Sequence, residues 1–529
     1  MTTTAEPLPP EERPTLLDRW HRRVAGDPAL ARRIGWLAPL LITVLAAVLR
    51  LGNLAHPHAV VFDETYYVKD AWSQWILGYA ATWPEGADER FLAGETDIFT
   101  TTGSFVVHPP LGKYLIGLPM ALFGADSTFA WRLGTALAGT ACVLVLYLLA
   151  RSLSGSVVFA SLASGLLAID GLGIVMSRVA LLDIFLTLFT LLAFWFVVLD
   201  RRSHRAELAA RIAARWDDAG GPAWGPVLWN RPWVIAAGAA AGAASAVKWS
   251  GAFVLAAIGI YLVVSDALAR RRAGVLFWPM DATVRQGVAS FLLLVPVALV
   301  VYLASWTGWF VTDGGYDRHS ADASPATGLW SWVPLPLQSL WRYHEAIYAS
   351  TAAMSTPHAY ASPAVQWPLL LRPTSMYANS TPTGTDGCSD ANGCWEILYS
   401  MPNPIVWWAA VAATLYLVYR FIRTQDGRYA LVLTGVAATY VPWLLYPDRT
   451  IFQFYTVLIQ PFLLLALAFV IREVVRDSRA HPRARTTERI VLGFLVLVVV
   501  IAAFWFPLWS AMRVPYEFYR LHNWLPGWV

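Results

Sequence analysis

The reading turns on VVFDETYY, residues 60–67, where Asp63 and Glu64 lie side by side in an aromatic and apolar run just after the first long hydrophobic stretch, Ile34–Leu51. Carboxylates beside a membrane are costly unless they are solvated or paired. A bare Asp-Glu pair in a loop is commonplace and has almost no specificity. What it means depends on where the other hydrophobic stretches and ionisable residues fall.

Of the 529 residues, 57% are hydrophobic and only 14% charged, against about 25% charged in a soluble domain. Several windows approach the ~20 nearly uncharged residues that span a bilayer as a helix, which excludes a soluble core. The runs are continuous and do not alternate, which excludes a β-barrel. The N-terminus, MTTTAEPLPPEERPTLLDRWHRR, has no short apolar core and reads as a cytoplasmic tail, not a cleaved signal. The net charge of +4 says little by itself, and no nucleic-acid partner is expected. Lys69, Lys113 and Lys248 are the only lysines among many arginines, so some of these positions are candidates for needing a compact ammonium. Cys142 lies in an apolar run. Cys388 and Cys394 flank SDANG in a loop, where they form a disulfide if that loop faces an oxidising compartment.

Eleven hydrophobic spans follow in order: Ile34–Leu51, Trp131–Leu149, Val157–Val175, Val179–Leu199, Trp233–Val247, Ala252–Leu268, Val288–Ser305, Pro404–Tyr419, Tyr429–Leu445, Ile451–Ile471 and Ile490–Trp509. Arginine clusters such as Arg201, Arg202 and Arg205 or Arg270, Arg271 and Arg272 fall on alternate loops, so the N-terminus is expected in the cytoplasm and the C-terminus outside. The expected divisions are a cytoplasmic basic tail (1–33), a membrane module with a first external loop at 52–130 (34–305), a large external loop (306–402), further membrane helices (403–509) and an external tail (510–529). The run Tyr114–Phe123 is too short to cross and reads as interfacial or re-entrant.

With that topology the charges sort by side. The inner ends carry runs of arginine, whereas single ionisable residues in apolar surroundings gather at the outer ends: Asp63, Glu64, His108, Lys113, Arg132, Arg178, Asp183, Lys248 and Arg449. Arg50 closes the first span, and His344 and Glu345 sit in the large outer loop. Each alone has a structural explanation, such as snorkelling or a turn cap. Together, several cations facing a few carboxylates on one side point to a site for an anion, and the phosphate of a lipid carrier is one candidate at the outer leaflet surface.

The residues FDETYY (62–67), HPPLGK (108–113), RLGTALAGT (132–140), SRVALLD (177–183), VKWSG (247–251), PLPLQSLWRYHEAIY (334–348), SPAVQWPLL (362–370) and YPDRTIFQFYTVLIQP (446–461) resemble, in order, the motifs of the protein O-mannosyltransferases. These belong to the GT-C class of glycosyltransferases that use lipid-phosphate sugars. The resemblance covers most of the chain and implies an all-α polytopic GT-C fold. One departure is that 306–402 is too short for the β-trefoil (MIR) domain of eukaryotic members, which suggests the bacterial branch, and the Arg- and Ala-rich composition suggests an actinobacterial-type host. Acceptor recognition tied to that domain does not carry over.

The resemblance implies a polyprenyl-phosphate-mannose donor and Ser/Thr hydroxyl acceptors on exported proteins, at the extracytoplasmic side of the plasma membrane, with the secretion translocon a further candidate partner. Arg132, Lys248, Arg449, Arg178, Asp183, Lys113, His108 and Arg50 are then candidates for binding the donor's phosphate and sugar, since charge developing on the leaving phosphate needs cations. The acceptor hydroxyl needs a base. Asp63 is the first candidate, with Glu64 orienting the acceptor backbone or the base, and these two roles are exchangeable. One base without a covalent nucleophile describes a single inverting displacement. No cofactor is expected, although two neighbouring acids leave a divalent metal open. Glu64, His344 and Glu345 are candidates for the acceptor side. The outer-loop aromatics Tyr66, Tyr67, Trp72, Trp75, Trp330, Trp332, Trp341 and Trp367 read first as an interfacial belt and second as a sugar or peptide platform. The competing functions are sugar transfer to a lipid or cell-wall glycan, and secondary transport. Transport would call for an internal repeat and mid-membrane charges, neither of which is evident.

Overall fold

The computed structural model describes residues 16–216, 221–478 and 484–528; residues 1–15 of the expected basic tail, and Val529 of the external tail, lie outside the described residues. The longer helices are α1 (Pro28–Leu51), α2 (Glu64–Leu77), α3 (Leu111–Phe123), α4 (Thr128–Ser154), α5 (Val157–Ala168), α6 (Asp183–Ala213), α7 (Pro232–Val247), α8 (Ser250–Arg272), α9 (Gly287–Ser305), α10 (Leu335–Ala352), α11 (Pro404–Thr424), α12 (Gly427–Tyr440), α13 (Gln460–Ser478) and α14 (Ala484–Trp509). Eight described helices are long and apolar enough to cross a membrane, and α3, α5 and α7 are shorter apolar helices. The first span starts earlier than its apolar run. Asp27 caps α1 by accepting from the N–H groups of Ala29 and Leu30, with Pro28 in the first turn.

Burial separates centre from periphery. The apolar windows of α4 and α6 are 61% and 67% buried, whereas those of α1, α8 and α14 are 11%, 22% and 17% buried. The bundle is therefore built around α4 and α6, and α1, α8 and α14 present apolar faces outward as lipid-facing helices do. The α7 helix, PWVIAAGAAAGAASAV, is hydrophobic all round and rich in small residues. Its Gly238 and Gly242 lie four residues apart, and a Cβ on them would stand 2.4 and 2.5 Å from the backbone oxygens of Leu294 and Ala298 on α9. This small-xxx-small contact lets the two backbones touch without a polar bond.

Two expected continuous spans are broken. Val157–Val175 divides into α5 and a short helix, Gly171–Val175. Asp170 stops the first piece: its carboxylate accepts from Leu172 N–H and Asn403 N–H at 3.0 Å each and from the Gln460 amide at 2.5 Å, which ties three segments together. Ile451–Ile471 opens as a 3₁₀ turn, Gln453–Leu458, before α13 begins at Gln460 with Pro461 in its first turn.

The expectation of an all-helical chain misses a small antiparallel sheet. Strands β1 (Thr374–Thr381) and β2 (Cys394–Ser400) form a hairpin in the large loop, and β3 (Arg513–Pro515) from the C-terminal tail adds to β2. Cys388 and Cys394 are disulfide-bonded across the hairpin end. The Arg513 guanidinium meets Glu396 at 2.9 Å across the β2–β3 pair. The two segments expected as separate external units, 306–402 and 510–529, therefore share one sheet.

Candidate active site

Asp63 and Glu64 face different parts of the molecule. Phe62 has a left-handed backbone, φ 51°, unusual for a bulky residue. Its ring is held edge-on by His358, Phe452 and Phe454. This fixed kink ends the loop, and α2 starts directly after Asp63. Glu64, in the first turn, points inward and is wholly buried. Its carboxylate accepts four bonds: Arg132 Nε and Nη2 at 2.8 and 2.9 Å, and the N–H groups of Val61 and Ala180 at 2.8 Å each. A carboxylate so satisfied has no capacity left for an acceptor hydroxyl, and neither the base role nor the acceptor-orienting role fits Glu64's position.

The same correction applies to three of the expected phosphate cations. Arg132 is also wholly buried, and its remaining donors go to the carbonyls of Pro57 and Ala59 at 2.9 Å each. Arg178 donates to the carbonyls of Gly52 and Asn53 at 2.6 and 3.0 Å, and Arg50 to those of Ala168 and Leu167 at 3.0 and 3.1 Å. These arginines fasten the loop at 52–59 and the α5 end to the bundle core, and none lines the cavity. The glycines of RLGTALAGT make room for this packing. A Cβ on Gly134 would lie 2.4 Å from the Leu115 carbonyl oxygen, and one on Gly139 would lie 1.8 Å from Ser177 Oγ.

Other expected residues do converge. A cavity of about 180 Å³ is lined by His108, Asp183, Lys248, Arg449 and the aromatic residues Trp249, Tyr348, Trp443, Tyr446 and Tyr455. Asp183, at the start of α6, meets Lys248, in the α7–α8 turn, at 2.8 Å. Lys248 also stands 5.1 Å from the centre of the Tyr455 ring. Arg449 stacks over Trp443 at 5.6 Å, and its buried Nε has no hydrogen-bond partner. No ion pair joins Arg449 to a carboxylate among the described residues. Lys248 is thus neutralised and Arg449 is not, which gives the cavity a net attraction for an anion. Asp63 does not itself line this cavity, but it lies within electrostatic reach of Lys248 and Asp183. Burial pushes its carboxyl up to about 6, with Lys248 opposing and Asp183 adding to the shift. Among the described residues its side chain makes no helix-cap hydrogen bond.

His108 and Lys113, from HPPLGK, play different parts. His108 reaches the cavity; burial, then Lys248, Lys113 and Arg449, holds its imidazole well below the usual range and therefore neutral. Lys113 is buried behind it, paired with Asp70 of α2 at 3.4 Å and donating to the His108 carbonyl at 3.4 Å. The Gln74 amide adds a bond to the Pro110 carbonyl at 3.0 Å. The motif is stapled to the helix that carries Asp63.

His344 and Glu345 are not brought to this cavity. They border a neighbouring groove of about 680 Å³. Trp249 donates to the Tyr302 hydroxyl at 3.0 Å, so Tyr302 donates to His344 Nε2 at 2.5 Å, and His344 Nδ1 donates to the Leu340 carbonyl at 2.6 Å. This chain of bonds fixes Trp249, a wall shared by groove and cavity. Next to it, Tyr343 exchanges 2.9 Å bonds with both backbone groups of Val106 and anchors the approach to His108. Glu345 accepts from Trp341 at the surface.

The cavity aromatics Trp249, Tyr348, Trp443, Tyr446 and Tyr455 and the groove residue Tyr302 do not stand out in the sequence, although Trp249, Tyr348, Tyr446 and Tyr455 lie within the motifs at 247–251, 334–348 and 446–461. None of the aromatics named beforehand lines the cavity: Trp330, Trp332, Trp341 and Tyr66 are exposed, and Trp367 is buried. Among the described residues no group of three or more His, Cys, Asp or Glu is placed to hold a metal ion.

The chain's course matches the structure of the S. cerevisiae protein O-mannosyltransferase Pmt1-Pmt2 complex bound to the sugar donor, with a TM-score of 0.66 at 16% identity over 93% of this chain and 92% of that one. The fold is that of a GT-C membrane glycosyltransferase. At sequence level, residues 107–212 match the family described as dolichyl-phosphate-mannose-protein mannosyltransferase, and residues 336–528 match the C-terminal four TMM region of protein-O-mannosyltransferase. A polyprenol-phosphate-mannose–protein mannosyltransferase of Mycobacterium tuberculosis is 34% identical over 523 residues, covering 96% of this chain and 94% of the relative. One from Corynebacterium glutamicum is 28% identical over 501 residues, covering 92% of each. The chain belongs to the protein O-mannosyltransferase family.

Proposed function

We infer that this protein transfers mannose from a polyprenyl-phosphate-mannose donor to Ser or Thr hydroxyls of exported proteins. The observation that carries the reading is the unpaired Arg449 guanidinium beside the Lys248–Asp183 pair and the elevated Asp63 carboxyl, in a chain related over nearly its full length to the mycobacterial enzyme. Arg449 takes the donor phosphate. Lys248, held by Asp183, faces the charge that develops as the phosphate leaves; fixed cations of this kind are usually a large term in such catalysis. Asp63 takes the acceptor's proton. The acceptor oxygen bonds to C1 of the mannose, the C1–phosphate bond breaks, its electron pair leaves on the polyprenyl phosphate, and the sugar inverts from β to α. Neutral His108 completes the sugar-side wall.

A lipid-borne donor is supported by the surroundings. From Trp249 and Tyr348, which wall the cavity, an apolar groove runs between α8 and α9. It shares Ala252, Leu255 and Val295 with a second groove of about 760 Å³ further along the same helices. That is a track for an isoprenoid chain. The reaction takes place at the extracytoplasmic face, where the secretion translocon delivers unfolded acceptors, and it runs without a metal. Membranes supplied with labelled polyprenyl-phosphate mannose and a Ser/Thr-rich peptide test the reading. Labelled peptide is the expected product, and label appearing only in lipid or glycan overturns it.

A further inference from the structure

A second anion-binding cavity lies at the opposite end of the bundle. The helices α6 and α8 start at the active-site cavity, with Asp183 and Ser250. Arg201 follows Asp183 by 18 residues and Arg272 follows Ser250 by 22. At about 1.5 Å per residue these arginines stand roughly 27 to 33 Å away, the thickness of a bilayer's hydrocarbon layer. Here Arg201, His204, Arg205, Arg231, Asp266 and Arg272 line a cavity of about 40 Å³. A water needs at least about 10–15 Å³ by this measure, so a recess of about 40 Å³ suits a group the size of a phosphate, whereas a nucleotide would not fit.

The charges around it do not cancel. Arg231 is bound by Asp200 at 2.6 Å and Asp266 at 2.9 Å. Arg201 gives one nitrogen to Asp266 at 2.5 Å; its buried Nε stands 3.6 Å from Asp200, too far for a hydrogen bond, and its buried Nη2 has no hydrogen-bond partner among the described residues. Behind them Arg270 is committed to Asp281 at 2.7 Å, and Arg285 to the same acid at 3.0 Å. Arg205 and Arg272 reach the cavity from exposed positions, and no ion pair to either is formed among the described residues. The four lining arginines thus face Asp266 and, behind it, Asp200, while Asp426, within electrostatic reach of Arg205, is already paired with Arg428 at 2.5 Å, which leaves an excess of positive charge on a preformed recess. Trp216, Trp224, Trp229 and Phe277 are exposed around this end, as aromatic residues are at the level of lipid headgroups.

We propose that this recess binds the phosphate of an anionic phospholipid in the leaflet remote from the active site. The arginines serve as fork donors to the phosphate oxygens, and the bound lipid bridges α6 to α8, the two helices whose other ends carry Asp183 and the turn after Lys248. Its occupant differs from the mannose donor in leaflet and in headgroup. The bearing on a soluble anion is direct, since inorganic phosphate shares the chemistry but gains nothing from the aromatic rim.

Native mass spectrometry of the purified full-length protein tests it, with dioleoylphosphatidylglycerol, dioleoylphosphatidylcholine and inorganic phosphate as separate probes. The expected result is one tightly retained phosphatidylglycerol, preferred over phosphatidylcholine by tenfold or more. The Arg205→Gln/Arg272→Gln variant changes only exposed side chains, keeps the wild-type unfolding midpoint in zwitterionic detergent, and loses affinity by about fivefold per arginine, the usual worth of a basic residue near an anionic leaflet. Arg201→Gln removes the remaining preference. Equal retention of both lipids, or undiminished phosphatidylglycerol binding in the double variant, overturns the proposal. Retention of inorganic phosphate as tight as that of phosphatidylglycerol also overturns it, by assigning the recess to a soluble anion.

Discussion

Two adjacent carboxyls, Asp63 and Glu64, show how differently one stretch of chain can be used. Glu64 is sealed in the core with a bidentate arginine and two backbone donors. Asp63 is left without a helix-cap bond, at an elevated affinity for protons, within electrostatic reach of the Lys248–Asp183 ion pair. The first arrangement is rigid because every lone pair is used, and the second is reactive because its groups are not. The left-handed Phe62 precedes both: the backbone turns there, Asp63 stays at the cap position, and Glu64 enters the first turn of α2 and is buried.

That contrast can be broken experimentally at either end. The largest effect is expected for Asp63→Asn, which removes the base and lowers turnover by about 10²–10⁴-fold while leaving the thermal unfolding midpoint near wild type; activity assays and scanning calorimetry read the two together. Glu64→Ala leaves Arg132 buried without its partner and should destabilise the fold by about 3–5 kcal/mol, seen as loss of monodisperse protein in size-exclusion chromatography. An Arg449→Gln enzyme should fold normally and lose about 10²–10³-fold in transfer rate. The pH dependence is milder. Asp63 must be ionised to act, so kcat/KM should fall about tenfold per pH unit below about 6 and level off above it, and this acid limb should be absent from the residual activity of Asp63→Asn. The smallest effect belongs to chelation: EDTA should leave transfer unchanged, and a metal-restorable loss would reverse the proposal of a metal-free reaction.

The membrane class, the order of the motifs and the segments that form the site were legible in the sequence, because hydropathy, charge bias and motif spacing are local properties. Lys248, Asp183, His108 and Arg449, isolated charges in apolar surroundings, line one cavity. The roles of Arg50, Arg132 and Arg178 were not legible. A guanidinium that binds a phosphate and one that binds carbonyl oxygens of its own chain look alike in sequence, and only the position of the 52–59 loop separates them. Asp170 was overlooked for a related reason: a single acid in an apolar run does not upset a hydropathy average, yet it breaks a helix and joins three segments. The sheet escaped notice because its third strand arrives from the far end of the chain. His344 seemed fit for an acceptor site, whereas its two nitrogens are used in fixing Trp249 through Tyr302.

The division of labour between residues 63 and 64 is tested most directly by single-turnover transfer from labelled polyprenyl-phosphate mannose in reconstituted vesicles, with each rate divided by the fraction of folded enzyme. Asp63→Asn should lose at least about 100-fold per folded molecule, whereas Glu64→Gln, which keeps the shape and two of the acceptor positions, should stay close to wild type per folded molecule even where less of it folds. A normal rate for folded Asp63→Asn together with a collapsed rate for folded Glu64→Gln would contradict the assignment of the base.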